Sequence, residues 1–316
     1  MASFMETLDE QIPMNARVLK VDAAVVENPV RRFYKTNEPE TTTLETFLAR
    51  DAIYVHSAMK YADQDPKEFY RGIDTGWGFA KKNLDVRRKV TEEFLLSIFE
   101  RIESPELKPQ LFIFKGPAGN GKSIALKRTA LETAALDQLV LWIEEGAALN
   151  PDAITELYER TGKQIFLFID RIALQATKVR KLLESAQRLS IPLTIVGSES
   201  DSEWYGYCGV LETFNPKELT VRYLSKSEIH GLLDRLQEHN SLGLLTDKTR
   251  DFQFNAFYDS ADRQLLVALH EATQGGRFED IIYEEYKDIL PLEAQQLYLD
   301  VCTLNQFGVP VGCVAT

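Results

Sequence analysis

The sequence has few cysteines and histidines and no long apolar run, and each absence excludes a class of protein. Its 3 cysteines among 316 residues are too few and too scattered for a disulfide framework, so we expect a reducing compartment. The 4 histidines are dispersed as well, and no two cysteines have zinc-ligand spacing. No stretch approaches the roughly 18 apolar residues of a membrane span, and the N-terminus lacks a signal-peptide core. We therefore expect a cytoplasmic chain with no membrane partner.

Positive charge is also scarce. The chain has 36 Lys and Arg against 48 Asp and Glu, which gives a net charge of −12. A surface for DNA or RNA would have to be a local patch within a repulsive field, so nucleic acid is not expected as a direct partner. Hydrophobic residues make up 44% and charged residues 27%, as in folded globular chains. The length corresponds to about two domains.

Four short apolar runs alternate with helical patterns in the middle of the chain. They are LFIF at Leu111–Phe114, LVLWI at Leu139–Ile143, IFLFI at Ile165–Ile169 and LTIV at Leu193–Val196. Continuous apolarity predicts strands that are buried on both faces, and their alternation with helices predicts a parallel sheet. With a fifth strand expected at Leu219–Tyr223, the predicted class is α/β, with about five parallel strands and helices on both faces.

Helical patterns flank this predicted sheet. Upstream, four apolar residues recur at helical spacing: Val90, Phe94, Leu95 and Ile98. Downstream, Ser225 and Glu228 have the spacing of a capping box, and an apolar stripe follows at Ile229, Leu232, Leu233 and Leu236. Further helices are predicted over Asp262–Thr273 and after Pro291, the latter with an apolar face of Ala294, Leu297, Tyr298 and Val301. A helical segment is therefore expected after the sheet.

The strongest motif is a glycine-rich loop. Its residues are Gly116, Pro117, Ala118, Gly119, Asn120, Gly121, Lys122 and Ser123, which match G-x-x-x-x-G-K-S between the first apolar run and a helical stretch that begins at Ile124. Glycines let the backbone wrap a phosphate, and N–H groups at the helix start point at the anion. Lys122 is predicted to neutralise the β- and γ-phosphate oxygens and Ser123 to ligate Mg²⁺. The alternative is a glycine-rich turn without a ligand.

An acidic residue follows the third apolar run. Asp170 comes directly after Ile169, where a P-loop NTPase places the aspartate that holds magnesium through Ser123 or a water molecule. The alternative is a helix N-cap before Arg171. The pairing with the glycine-rich loop favours the metal role, so Ser123 and Asp170 are the predicted magnesium ligands.

Three further segments carry a family resemblance. They are LTIVGSESDSEW at Leu193–Trp204, LTVRYLSKSEIHGLLDRL at Leu219–Leu236 and DRQLLVALHEATQGGRFEDII at Asp262–Ile282. From about Phe69 onward, the chain resembles the STAND type of P-loop NTPase in the AAA+/additional-strand group, including NTPase modules of bacterial antiphage defence proteins. The resemblance implies that Ser198 is the sensor-one residue, catalytic together with Lys122 and Asp170. It also implies that Arg277 contacts the nucleotide from the lid. The alternatives are a strand-end hydroxyl and a surface arginine.

The resemblance also implies a domain organisation. The expected segments are an N-terminal region of unclear role (1–62), a base-covering segment and helix (63–105), the P-loop core (106–224), a helical lid (225–290) and a winged-helix-like start that is cut short (291–316). In the second segment, the residues placed to cover base and ribose are Phe69, Tyr70, Trp77, Arg87 and Arg88. Their alternative role is helix packing for the aromatics and solvent exposure for the arginines.

Two departures from the family pattern concern catalysis. Many AAA+ proteins follow the metal-binding aspartate with a water-activating glutamate, whereas this chain has Arg171. Many STAND proteins also have an arginine near the end of the sensor strand, where this chain has Ser198-Glu199-Ser200. Hydrolysis is therefore expected to be slow. Glu144 and Glu145 are candidates for a substitute base, and a solvated acidic turn is the alternative.

The resemblance implies a nucleotide-gated switch that binds ATP or ADP with Mg²⁺ and hydrolyses ATP slowly. Its expected partners are copies of itself and an effector domain or subunit, with antiphage defence as the implied setting. The main alternative is an AAA+ motor or loader acting on nucleic acid or protein, with Arg171, Arg180 or Arg222 as an arginine finger. A small-molecule kinase and a nucleotide-binding module without turnover are the remaining alternatives.

Overall fold

The computed structural model describes residues 29–36, 38–56, 59, 61–72, 76–103, 108–260, 265–274, 278–287 and 289–306. These residues divide into two compact units. The first draws on Met1–Gln64 and Thr75–Arg222, and the second on Asp65–Asp74 and Tyr223–Thr316. The first unit contains the sheet, and the described part of the second is helical.

Six strands form one sheet in the first unit. They are β1 (Ala52–Val55), β2 (Gln110–Lys115), β3 (Leu139–Ile143), β4 (Ile165–Ile169), β5 (Leu193–Glu199) and β6 (Lys217–Thr220). Their order is β1-β3-β4-β5-β2-β6, and every neighbouring pair is parallel except β1 with β3. The predicted parallel α/β sheet is confirmed. It gains β1 as an antiparallel edge strand, and β6 begins two residues before the expected start at Leu219.

The described residues form thirteen α-helices. They are α1 (Thr42–Thr46), α2 (Pro66–Tyr70), α3 (Phe79–Lys82), α4 (Lys89–Glu103), α5 (Lys122–Ala135), α6 (Pro151–Thr161), α7 (Ala176–Leu189), α8 (Asp201–Tyr207), α9 (Lys226–Glu238), α10 (Arg250–Asn255), α11 (Leu265–Gln274), α12 (Phe278–Lys287) and α13 (Leu292–Gln306). Short 3₁₀ turns include Ile172–Gln175 and Gly209–Phe214. Within these described segments, no helix has both the length and the apolarity needed to cross a bilayer.

The two faces of the sheet bury different side chains. Because successive residues of a strand point to opposite faces, Phe166 and Phe168 of β4 lie on one face and Ile165, Leu167 and Ile169 on the other. The aliphatic face packs on α6 and α7, and the face rich in Phe and Trp packs on α4 and α5. All four residues of the predicted upstream helical stripe, Val90, Phe94, Leu95 and Ile98, are buried on this second face. Helices therefore cover both faces, as predicted.

Residues of the N-terminal region attach to the same sheet. β1 pairs with β3 so that Ala52 lies opposite Ile143. The guanidinium of Arg160 on α6 donates to the carbonyl oxygens of Glu38 at 2.8 Å and Pro39 at 2.7 Å. These contacts make residues 38–55 part of the packed first unit.

The predicted capping box is present at the start of α9 in the second unit. The Ser225 hydroxyl accepts from the Glu228 amide, and the Glu228 carboxylate accepts from the Ser225 amide at 2.6 Å. The stripe that follows on α9 is buried at Ile229, Leu232, Leu233 and Leu236. The predicted C-terminal helix is present as α13, but part of its expected apolar face is exposed: Leu297 is 61% exposed and Tyr298 is 41% exposed. The rest of the winged-helix-like prediction, after Gln306, lies outside the described residues.

A buried ion pair joins the chain before α4 to the helix that follows the glycine-rich loop. The Nε atom of Arg128 on α5 donates to the Asp85 carboxylate at 2.8 Å, and both side chains are less than a tenth exposed. Glu132, one turn later, lies 2.8 Å from the Arg87 guanidinium. Removal of one partner of such a pair leaves the other charge in a poorly solvated environment, which is strongly unfavourable.

We therefore expect Asp85→Ala to lower the free energy of unfolding by about 3–5 kcal/mol. The matched control is Glu184→Ala, which breaks the exposed ion pair of Arg180 and Glu184 on α7 and should change stability by at most about 1 kcal/mol. Urea unfolding of the three proteins measures both values. Equal stability of the two variants would show that the buried pair does not hold this part of the fold.

Candidate nucleotide-binding site

The register of three parallel strands brings the predicted site residues to one edge of the sheet. β4 and β5 pair with Ile169 opposite Gly197, so Asp170 and Ser198 come next on neighbouring strands. β2 and β5 pair with Lys115 opposite Glu199, so the loop that begins at Gly116 starts at the same edge. Carboxyl ends of neighbouring parallel strands are where ligands bind in open α/β sheets.

The glycine-rich loop leads directly into α5. Gly121 is the N-cap, and the helix begins at Lys122. The φ of Gly121 is 77°, a backbone conformation that residues other than glycine rarely adopt. The Lys122 ammonium turns back over the loop and donates to the carbonyl oxygens of Gly116 at 2.9 Å and Pro117 at 2.8 Å. Burial lowers the pKa of Lys122, and the carboxylates of Glu199 and Asp170 oppose this shift. A half-buried cation is thus held at the loop, where an anion could replace the carbonyls.

Four of the predicted residues surround one cavity of about 260 Å³. Lys122, Ser123, Asp170 and Ser198 line it together with residues of the turn after β4 and the start of α8. The Ser198 hydroxyl donates to the Asp170 carboxylate and also lies 3.4 Å from the Arg171 amide. This hydroxyl therefore fixes the orientation of the carboxylate that is the predicted metal ligand.

The oxygen-bearing side chains of this cavity suit Mg²⁺ that is bound together with phosphate. The described residues contain no group of three or more His, Cys, Asp or Glu side chains that could hold a metal ion by themselves. A hydroxyl from Ser123 and a carboxylate from Asp170 do line the same cavity. Mg²⁺ is bound through one or two protein oxygens together with substrate phosphates and water, so these two residues fit it.

Glu199, the last residue of β5, also lines this cavity, although its sequence position did not mark it as a candidate base. Its side chain is 5% exposed. One carboxylate oxygen accepts from the Ala173 amide at 2.9 Å and the other from the Ser200 amide at 2.8 Å. Burial raises the pKa of Glu199, although these two hydrogen bonds oppose the shift. The available signal was an acidic residue at the end of a buried strand, the same signal that identified Asp170.

A buried arginine holds the glycine-rich loop from outside. Arg88 is 6% exposed, and its guanidinium donates to the carbonyl oxygens of Asn120 at 2.9 Å and Arg222 at 2.5 Å. The loop also lies close to the chain after β6: a Cβ atom on Gly116 would be 2.5 Å from the Val221 carbonyl oxygen. Glycine is therefore required at position 116 by close approach, and Arg88 joins the loop to the last residue of the first unit.

Other expected base-covering residues make packing contacts. The Trp77 ring meets Trp142 edge to face at 5.2 Å, and the Arg87 guanidinium lies 2.8 Å from the Glu132 carboxylate. Tyr70 is buried and belongs to the second unit. The alternative expected for Arg88 was solvent exposure, and this alternative is wrong because Arg88 is buried. A role in covering base and ribose stays a prediction for this segment.

Of the remaining candidates, Arg171 lines this cavity, the two glutamates after β3 do not, and Arg277 lies outside the described residues. Glu145 and Arg171 are exposed and form an ion pair with 3.5 Å between nitrogen and oxygen, and Glu144 is exposed at the end of β3. Neither glutamate lines the cavity. Arg171 does line it, with a left-handed backbone φ of 50°. Arg277, the expected lid residue, lies outside the described residues.

The chain was compared with curated proteins and with solved structures. No curated protein matches this chain. Similar solved structures include the Hsp104–ADP complex of S. cerevisiae, which is 16% identical over 71% of this chain and 32% of that chain, with a TM-score of 0.43. A RuvB mutant of Thermotoga maritima is 16% identical over 71% of this chain and 72% of that chain, also with a TM-score of 0.43. The chain spans about a third of the length of the S. cerevisiae Hsp104 chains it matches.

A family model gives the specific result. Residues 67–212 match the family described as Novel STAND NTPase 5. This segment contains the glycine-rich loop, Asp170 and Ser198. The match confirms the resemblance that the sequence motifs indicated: this part of the chain is similar to a family of STAND NTPases.

Arg88→Met tests whether the buried guanidinium sets the shape of the glycine-rich loop. Methionine keeps a long apolar stem but leaves two carbonyl oxygens without this donor, and each lost hydrogen bond of a charged donor costs about 1.5–3 kcal/mol. We expect a lower thermal midpoint and weaker binding of fluorescent ADP. The control is Lys81→Met on the exposed side of α3, which should preserve both. Unchanged affinity in Arg88→Met would show that the loop keeps its shape without the guanidinium.

Proposed function

We propose that this STAND-type NTPase is a nucleotide-gated switch. It binds ATP or ADP with Mg²⁺ at Gly116–Ile124, hydrolyses ATP slowly, and uses the bound nucleotide to control its own oligomerisation or an effector domain or subunit. Bacterial antiphage defence is the setting that the family resemblance suggests for such a switch.

The observation that carries the proposal is the position of Lys122. Its ammonium donates to two carbonyl oxygens of its own loop, and Ser123, Asp170 and Ser198 surround the adjacent cavity. Cations and backbone amides at a helix start form a binding site for phosphate. A phosphate chain placed there would meet Lys122 on one side and the Ser123 and Asp170 oxygens on the other.

The roles of the individual residues follow from their chemistry. Lys122 neutralises phosphate oxygens, and Ser123 and Asp170 hold Mg²⁺. Mg²⁺ held by these two residues would supply positive charge that stabilises the phosphates during transfer. Ser198 holds the Asp170 carboxylate in place and is the proposed sensor-one residue. Arg277 remains the proposed lid contact.

Slow turnover is supported by the residue that follows Asp170. Arg171 occupies this position, and its guanidinium is paired with Glu145. A cation cannot take a proton from water, so this position offers no general base. A switch needs its nucleotide state to persist, whereas a motor or loader needs rapid turnover, and this difference favours the switch.

The test is to identify the nucleotide that remains bound to the purified protein. After denaturation, chromatography of the released nucleotide should give ADP or ATP in stoichiometric amount. Lys122→Ala should lose it, because a hydrogen bond to a charged group contributes about 1.5–3 kcal/mol, or about 10–150-fold in affinity. The matched control is Lys181→Ala, an exposed lysine on α7, which should keep the nucleotide.

Two results would contradict the proposal. If neither protein binds ATP or ADP even with added Mg²⁺, the chain is not a nucleotide switch. If the protein binds nucleotide but turns it over rapidly, with stimulation by DNA, RNA or an unfolded protein, it is a motor or loader.

A further inference from the structure

The cavity contains a buried carboxylate, that of Glu199, to which the proposed function assigns no role. Glu199 is 5% exposed and lies one residue after Ser198, at the edge of the sheet where Asp170 and the glycine-rich loop meet. A buried carboxylate is costly unless it is hydrogen-bonded or paired, so its place in a cavity wall requires a reason.

The hydrogen bonds of Glu199 fix its position but use only part of the acceptor capacity of its carboxylate. The Ala173 amide donates to one oxygen and the Ser200 amide to the other. Each carboxylate oxygen has two lone pairs, so each keeps one further site for a donor. The two amides therefore hold the carboxylate in one orientation while leaving acceptor capacity for a water molecule.

Glu199 and Lys122, the residue proposed to bind phosphate, line the same cavity. Glu199 is the foremost of the carboxylates that stabilise the charged form of Lys122, ahead of Asp170 and Asp201. Burial raises the pKa of Glu199, and a base works best when its pKa lies near the operating pH. This direction supports the geometric argument.

The other carboxylates near the cavity are less suited to act on water. Asp170 accepts the Ser198 hydroxyl and is a proposed magnesium ligand. Glu203 lines the cavity from the first turn of α8, but it is only partly buried and its carboxylate has none of the amide contacts that fix Glu199. Glu144 and Glu145 do not line the cavity. Glu199 is thus the buried, orientationally fixed carboxylate of this site.

We propose that Glu199 is the water-activating residue of this NTPase, in place of the glutamate that is absent after Asp170. This inference rests on the proposed function. The carboxylate orients a water molecule and takes one of its protons while the water oxygen forms a bond to the γ-phosphorus. The bond from the γ-phosphorus to the bridging oxygen breaks, which leaves ADP and inorganic phosphate, and the proton passes from Glu199 to the phosphate.

The first test compares Glu199→Gln with Glu184→Gln, a control at an exposed position on α7 away from the cavity. Binding of fluorescent ADP and the single-turnover rate of hydrolysis of radiolabelled ATP are measured on each protein. Glu199→Gln should bind ADP like the wild type but hydrolyse ATP about 10²–10⁴-fold more slowly, the usual contribution of general base catalysis. Glu184→Gln should match the wild type in both measurements.

The second test separates chemistry from the structural role of the two amide contacts. Glu199→Ala is assayed with added formate and with an equal concentration of chloride. Formate should restore part of the hydrolysis rate, because a free carboxylate can occupy the vacated space and accept the proton. A side chain that only anchors the turn at Ile172–Gln175 would give no rescue of hydrolysis by formate.

The outcomes separate this inference from the proposed function. Hydrolysis at the wild-type rate in Glu199→Gln would overturn the inference, as would loss of binding without rescue by formate. A wild-type protein that binds ATP but never hydrolyses it would also overturn the inference while leaving the nucleotide-binding switch intact. A wild-type protein that binds no nucleotide would overturn both.

Discussion

The register between β2, β4 and β5 is the constraint on which the candidate site depends. Asp170 and Ser198 lie side by side because Ile169 pairs with Gly197, and the glycine-rich loop begins beside Glu199 because Lys115 pairs with it. A slip of one residue in either pairing would turn the side chains of a strand to the opposite face. Such a slip would separate the serine hydroxyl from the carboxylate that it contacts.

The core makes such a slip unfavourable because the two faces of the sheet bury different shapes. β4 presents Phe166 and Phe168 to α4 and α5, and it presents Ile165, Leu167 and Ile169 to α6 and α7. Exchanging the faces would place phenyl rings where aliphatic side chains now pack, and core packing tolerates such changes of shape poorly. Gly197 adds a local requirement, since a Cβ atom there would lie 2.7 Å from the Ile172 side chain. Packing far from the cavity thereby fixes the positions of its polar groups.

The sequence predicts what depends on local pattern and misses what depends on distant contacts. Buried strands, the loop that ends at Ser123 and the capping box at Ser225 each have a signature within a few residues. β1 is only four residues long and becomes a strand because it pairs with β3, about 90 positions later. Arg88 is buried because its guanidinium reaches carbonyls 32 and 134 positions away. Such partners are established by the tertiary fold, so no periodicity or motif around these residues indicates them.

The same distant contacts connect the glycine-rich loop to the chain that follows β6. An incoming phosphate must compete with the Gly116 and Pro117 carbonyls for the Lys122 ammonium, so binding is the difference between two sets of hydrogen bonds. Asn120 in that loop accepts from Arg88, which also holds the Arg222 carbonyl, and the Val221 amide donates to Lys115 just before the loop. A displacement of the loop carbonyls would therefore disturb the hydrogen bonds at residues 221–222.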